Sequence, residues 1–231
     1  MRTLIQNLRI PPAPAGGKKL PLPWFSILIA LLTLPLSLSD SGFNFAYFDT
    51  QLINAGQYWR LFSGHLSHIS PSHLLWDLIA FLLASCYLEY HNRRLAVLSV
   101  SAGICSVNLL LISDIASINS YAGLSGLLFA PLTISLIMFG IRSRSATGWL
   151  PLLICTVKVI GESISGVSLL SDSLWPPYPP AHLAGILGGC SALLLWRLYG
   201  NWQSQYSNCL AMLSFMFSFS AQGEERSKEV R

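Results

Sequence analysis

Long apolar runs broken by short polar interruptions dominate the chain. Five of them, at about 73–90, 95–113, 123–141, 149–166 and 181–199, approach the roughly 20 residues a helix needs to cross a bilayer. A shorter run, 24–39, precedes them. No small-residue cleavage site follows it and its leading flank is long, so it predicts an uncleaved signal anchor whose helix borrows flanking residues. The pattern therefore predicts six spans, separated by His91-Asn92-Arg93-Arg94, a 114–122 loop, a 142–148 loop and a 171–180 loop. The intervening stretch 40–72 reads as a long connection. Its aromatics Phe43, Phe45, Tyr47, Phe48, Tyr58, Trp59 and Phe62 predict that it lies in the membrane interface.

The ends read differently. Residues 1–23 are polar and rich in Pro and Gly, and predict a cytoplasmic arm. Residues 24–199 form one six-span domain, and 200–231 a cytoplasmic tail. Within that tail 209–221 is apolar but too short to cross, which predicts a helix lying along the membrane surface.

Composition sharpens this class. Of 231 residues, 52% are hydrophobic and 10% charged, with mean hydropathy +0.53; soluble domains carry about 25% charged residues. The net charge of +4 does not point to nucleic acid, because the basic residues sit in short clusters between apolar runs. With the N-terminus inside, Arg2, Arg9, Lys18, Lys19, Arg93, Arg94, Arg142, Arg144, Arg197, Arg226, Lys228 and Arg231 fall on the inner side, and only Arg60 on the outer. That bias predicts both termini in the cytoplasm. Cys86, Cys105, Cys155, Cys190 and Cys209 form no CxxC pair and read as small buried thiols.

This topology brings chemistry together. The second, fourth and sixth spans all run from outside to inside, so their first turns share one depth. Those turns carry His73 and Asp77, then Ser125, then His182. Polar and ionisable groups at membrane depth are costly and face a bundle interior or a wet cavity. A serine hydroxyl needs a base to become a nucleophile, and histidine is the usual base near neutral pH. Free N–H groups at the start of the fourth helix point where an oxyanion would develop, and His73 can add a side-chain donor. Gly123 and Gly126 flank the serine. Gly185 follows His182 by three positions on the same helix face, extended by Gly188 and Gly189, and such small residues let membrane helices approach closely. His65 and His91 read as loop histidines.

Three motifs together resemble the rhomboid intramembrane serine proteases. Trp59-Arg60-Leu61-Phe62-Ser63, followed by His68 and His73, is similar to the family's first-loop motif. Gly123-Leu124-Ser125-Gly126 resembles its GxSG nucleophile motif, and Ala181-His182-Leu183-Ala184-Gly185 its sixth-helix histidine motif. The resemblance implies an all-α, six-helix rhomboid-like bundle with Ser125 as nucleophile and His182 as general base. His73 and the Ser125 N–H would hold the oxyanion. Trp59 and Arg60 would fix the first loop, and His68 would join its hydrogen-bond network. Many rhomboids have an asparagine where this chain has Asp77; a protonated Asp77 would donate a hydrogen bond, and otherwise it would pair with His73 and orient it.

Lys158 and Glu162 stand four apart inside the fifth span and read as a structural charge pair. This pair and the compact six-span plan resemble the rhombosortase branch. That resemblance implies cleavage of surface or secreted proteins near a C-terminal apolar tail, in a bacterial cytoplasmic membrane. The expected partners are membrane-protein substrates with a single or C-terminal transmembrane segment and the lipid bilayer, without nucleic acid. No metal or cofactor is expected, since no HExxH motif accompanies His73, Asp77 and His182. Two other readings remain open: a rhomboid-like protein that binds membrane helices without cutting them, and a transporter using Lys158 and Glu162 as a relay. The transporter predicts a two-fold internal repeat, and none is evident between the halves.

Overall fold

The computed structural model describes residues 22–166 and 178–199. The expected cytoplasmic arm except its last two residues, part of the 171–180 loop, and the expected tail 200–231 with its 209–221 surface helix lie outside the described residues. The chain divides into units Met1–Leu193 and Leu194–Arg231. Of the second, only 194–199 are described, and they are helical.

The described chain is helical apart from one small ladder. Helix α1 (Trp24–Ser37) is 14 residues long, and α2 (Asp40–Ala46) follows at a bend of 113°. The first span therefore does not lengthen by straight extension, as the sequence suggested. Ser39 caps α2 by accepting from the Gly42 N–H at 3.1 Å, and a side chain at Gly42 would collide with the Pro35 carbonyl. Strand β1 (Phe48–Asp49), α3 (Thr50–Asn54) and α4 (Arg60–Ser63) follow. Asp49 caps α3 through the Leu52 N–H. The 40–72 connection is thus largely structured rather than an open loop.

Helices α5 (Pro71–His91) and α6 (Arg93–Ile112) meet at Asn92, which ends one and caps the other through the Leu95 N–H. Strand β2 (Ser120–Tyr121) pairs antiparallel with β1, Phe48 opposite Tyr121 and Asp49 opposite Ser120. Next come α7 (Ser125–Ser143), a short 3-10 turn (Ala146–Trp149), α8 (Leu150–Ser165) and α9 (Pro179–Tyr199). Arg144 at φ +53° and Gly166 at φ +70° stop α7 and α8 in left-handed conformations.

Among the described residues, five helices are long and apolar enough to cross a membrane, or six if the bent α1–α2 pair counts as one span. Helix α7 is the axis of the bundle: 67% of its apolar window is buried, against 17% for the 3-10 turn and α8 together. It packs on α5, α6 and α8. Helix α9 closes on it through glycines. A Cβ at Gly185 would strike the Gly126 carbonyl, and one at Gly189 would lie 2.6 Å from the Ala130 carbonyl. Gly188 presses on α6 in the same way, 2.7 Å from the Ala102 carbonyl by the same measure. Ser106 fastens that contact by donating to the Ala184 carbonyl at 2.7 Å.

The four described cysteines do not fill the core as expected: Cys86 and Cys155 are half-buried, and Cys105 and Cys190 are exposed, while Cys209 lies outside the described residues. In a membrane bundle an apolar outward face meets lipid, so a thiol is as well placed there as inside.

Candidate active site

The first turn of α7 has its N–H groups distributed unevenly. The Leu124 N–H donates to His68 Nε2 at 3.2 Å, and the Gly126 N–H to the Tyr121 hydroxyl at 3.1 Å. Between them, the Ser125 N–H has no partner among the described residues. The Gly123 N–H donates to the Gly64 carbonyl at 3.2 Å, and the β1–β2 ladder ties the same segment to Phe48 and Asp49. Gly123 sits at φ +136°, a conformation that L side chains rarely adopt. A Cβ there would lie 3.0 Å from the His73 ring and 3.7 Å from Ser125 Oγ. The bare glycine thus keeps open a small space bordered by the serine hydroxyl and the His73 imidazole.

Helix α5 supplies His73 and Asp77 to this space. Ser70 caps α5 by accepting from the His73 N–H. One turn on, Asp77 Oδ2 lies 3.3 Å from His73 Nε2 and 3.1 Å from His68 Nε2. Both arrangements foreseen for Asp77 place it beside His73, and this separation is common to them. A single carboxyl oxygen lies against two imidazoles, whose rings meet edge to face at 5.1 Å. His68 is held from the other side, its Nδ1 3.2 Å from Ser37 Oγ.

Helix α9 brings His182. A Cβ on Gly126 would approach the Ala181 Cβ to 3.3 Å, so the residue after Ser125 touches the residue before His182. The His182 ring lies on Phe129 at 4.7 Å between centroids. Its Nδ1 is buried without a hydrogen bond, 3.7 Å from Glu162 Oε2. Glu162 is fully buried and receives both 2.7 and 2.8 Å hydrogen bonds from Lys158 Nζ. No hydrogen bond joins Ser125 and His182 among the described residues; such catalytic contacts are often loose until substrate arrives. His73 is near enough to feel the charges of Asp77, His68 and His182.

The supporting loop is held by backbone carbonyls. Arg60 is buried, donates to the Tyr47 carbonyl at 2.7 Å and the Asn44 carbonyl at 2.9 Å, and lies over the Tyr47 ring. Trp59 donates to the Phe45 carbonyl and stacks on the Phe45 ring at 5.5 Å.

Of the two histidines read as loop residues, His91 is helical, whereas His65 does lie in a turn but is buried there. His91 is the last residue of α5, its Nδ1 2.7 Å from the Tyr87 carbonyl. His65 is wholly buried and bonded to Asn108 Oδ1 at 3.1 Å, and burial lowers its pKa to about 4. Tyr121 is the site residue that sequence reasoning passed over. Its hydroxyl lies against the Ser125 side chain, and burial pushes the phenol up. Its position four residues before Ser125, and Asn108 as an isolated amide in an apolar run, were the available signals.

A bundle of membrane-length helices, with a serine, two histidines and two carboxylates gathered at helix ends, defines a polytopic protein with a polar site inside its helical layer. The Rhomboid domain family model matches residues 55–199, more than half of the chain, and the protein belongs to the rhomboid family. It is a multi-pass membrane protein of a family whose members are generally intramembrane serine proteases acting on membrane-protein substrates. Among curated proteins, no sequence matches the chain.

Proposed function

We propose that this protein is an intramembrane serine endopeptidase working through a Ser125–His182 dyad. The observation that carries the reading is the contact of Gly126 with Ala181, which brings the neighbours of the two residues together. His182 takes the Ser125 hydroxyl proton as Oγ attacks the scissile carbonyl. The unengaged Ser125 N–H and the His73 ring stabilise the oxyanion over Gly123. His182 then returns the proton to the leaving amine nitrogen as the C–N bond breaks. Water, deprotonated by the same imidazole, releases the acyl group.

With both termini cytoplasmic, the site lies near the extracytoplasmic face, and small-residue segments of single or C-terminal transmembrane substrates are cut there. Processing of C-terminal sorting tails in the manner of rhombosortases is the specific form that the Lys158–Glu162 pair supports. Ser125→Ala is expected to lower cleavage of a tailed substrate in proteoliposomes by at least about 10⁴-fold while the protein stays folded; undiminished cleavage rejects the dyad. Asp77 within 3.3 Å of His73 favours a second reading, a helix-binding protein without activity. A folded protein whose Ser125 never reacts with a fluorophosphonate selects that reading.

A further inference from the structure

We propose that Glu162 is a positioning residue for His182, so that the site works as a Ser125–His182–Glu162 relay rather than as a dyad. The inference rests on the protease reading above and extends it to a residue on another helix. Three observations carry it. His182 Nδ1 is buried and has no hydrogen-bond acceptor, and a ring nitrogen left so is costly. The nearest anionic group is Glu162 Oε2, 3.7 Å away across the α8–α9 contact. Glu162 is itself fully buried, where a lone carboxylate would be expensive, and Lys158 Nζ donates to both of its oxygens.

The geometry selects a tautomer. With Nδ1 facing a carboxylate, the proton of the neutral ring rests on Nδ1, and Nε2 keeps the lone pair that accepts from Ser125. When Ser125 Oγ attacks, its proton moves to Nε2, and the imidazolium is stabilised by Nδ1–H donating to Glu162. The proton then leaves on the amine nitrogen and the ring returns to its starting form. Glu162 never takes the proton; it fixes the ring and balances its transient charge. The gap of 3.7 Å closes by a small ring rotation, which Phe129 beneath the ring allows. Lys158 offsets part of the carboxylate charge and moderates its effect on the base. Among the described residues, His73 from α5, itself beside Asp77, is the other titratable group close to His182.

Fluorophosphonate labelling of Ser125 in the full-length protein in liposomes, followed against pH, tests this. Glu162→Gln is expected to slow labelling by about 10²-fold, less than loss of the acid in a tight triad, and to move the acid limb of the profile to lower pH. Glu162→Asp is expected to restore part of the rate. The neutral double variant Lys158→Met/Glu162→Gln leaves no unpaired charge in the bundle, and should fold while keeping the slow, acid-shifted profile. A purely structural pair predicts the reverse: a folded double variant with the wild-type rate and limb, which overturns the inference alone. A wild-type protein that does not label at all overturns the protease reading and the relay together.

Discussion

The two ends of α5 each bury a carboxylate, and they do so in opposite ways. At the His91 end, Glu89 accepts from the Phe25 and Ser26 N–H groups, the Ser26 hydroxyl and Arg93 Nε, all within 3.1 Å. Those two N–H groups are the unsatisfied start of α1, which has no side-chain cap of its own. Every acceptor position is answered. At the Pro71 end, the polar groups are left incomplete: the Ser125 N–H and His182 Nδ1 lack partners among the described residues, and one Asp77 oxygen serves two rings. A saturated cluster holds helices together, whereas an unsaturated one keeps hydrogen-bonding capacity in reserve for something that is not the protein.

The contrast can be broken most severely at its saturated end. Glu89→Ala leaves the Phe25 and Ser26 N–H groups and the Ser26 hydroxyl without this acceptor, and should destabilise the protein by about 3–5 kcal/mol. Thermal unfolding in detergent measures this, and molecules that remain folded should label at Ser125 at the wild-type rate. An unchanged melting temperature would mean that the Glu89 cluster is not what secures α1.

A smaller effect, about 3 kcal/mol at most, is expected from His65. Its pKa falls from the ordinary 6.5 to about 4 because burial disfavours the charged ring. The folded protein keeps His65 neutral while the unfolded chain protonates it near pH 6.5. Between those values the unfolded state binds the extra proton. Stability is therefore complete above pH 6.5 and declines as pH falls toward 4. Unfolding curves across that range should show the loss, and His65→Gln should flatten it.

The smallest effect is expected at Asp77. Asp77→Asn keeps a hydrogen-bonding group against both imidazoles and removes the charge beside the oxyanion space. Labelling of Ser125 should change by less than about tenfold, roughly 1.4 kcal/mol. A loss as large as that of Ser125→Ala would mean that the carboxylate charge, and not its orienting contacts, is what the site requires.

Much of this was legible from the sequence, for physical reasons. Hydropathy marks the membrane-length helices because lipid tolerates few alternatives. The meeting of α5, α7 and α9 follows from alternating helix direction, and Gly126 and Gly185 announce a close approach through their missing side chains. The rest depended on contacts distant in sequence. The break after Ser37 is set by Ser39 and Gly42 against Pro35, a local geometry that hydropathy averages away. The β1–β2 ladder is two residues long on each side, too short for a periodic signal. Helical spacing pairs Glu162 with Lys158, but the approach to His182 comes from tertiary packing. His65 shows the same limit, since its partner Asn108 lies on another helix.

The glycine contact between α7 and α9 also has a consequence for biosynthesis. Ser125 leaves the ribosome well before His182, and until α9 enters the bilayer no imidazole can reach it from that side. A nascent chain with α1 to α8 in place would hold the space over Gly123 that the proposed mechanism uses, beside an inert hydroxyl. Under the proposed mechanism the arrival of α9 arms Ser125, and in the same step it covers the Gly126 face of α7.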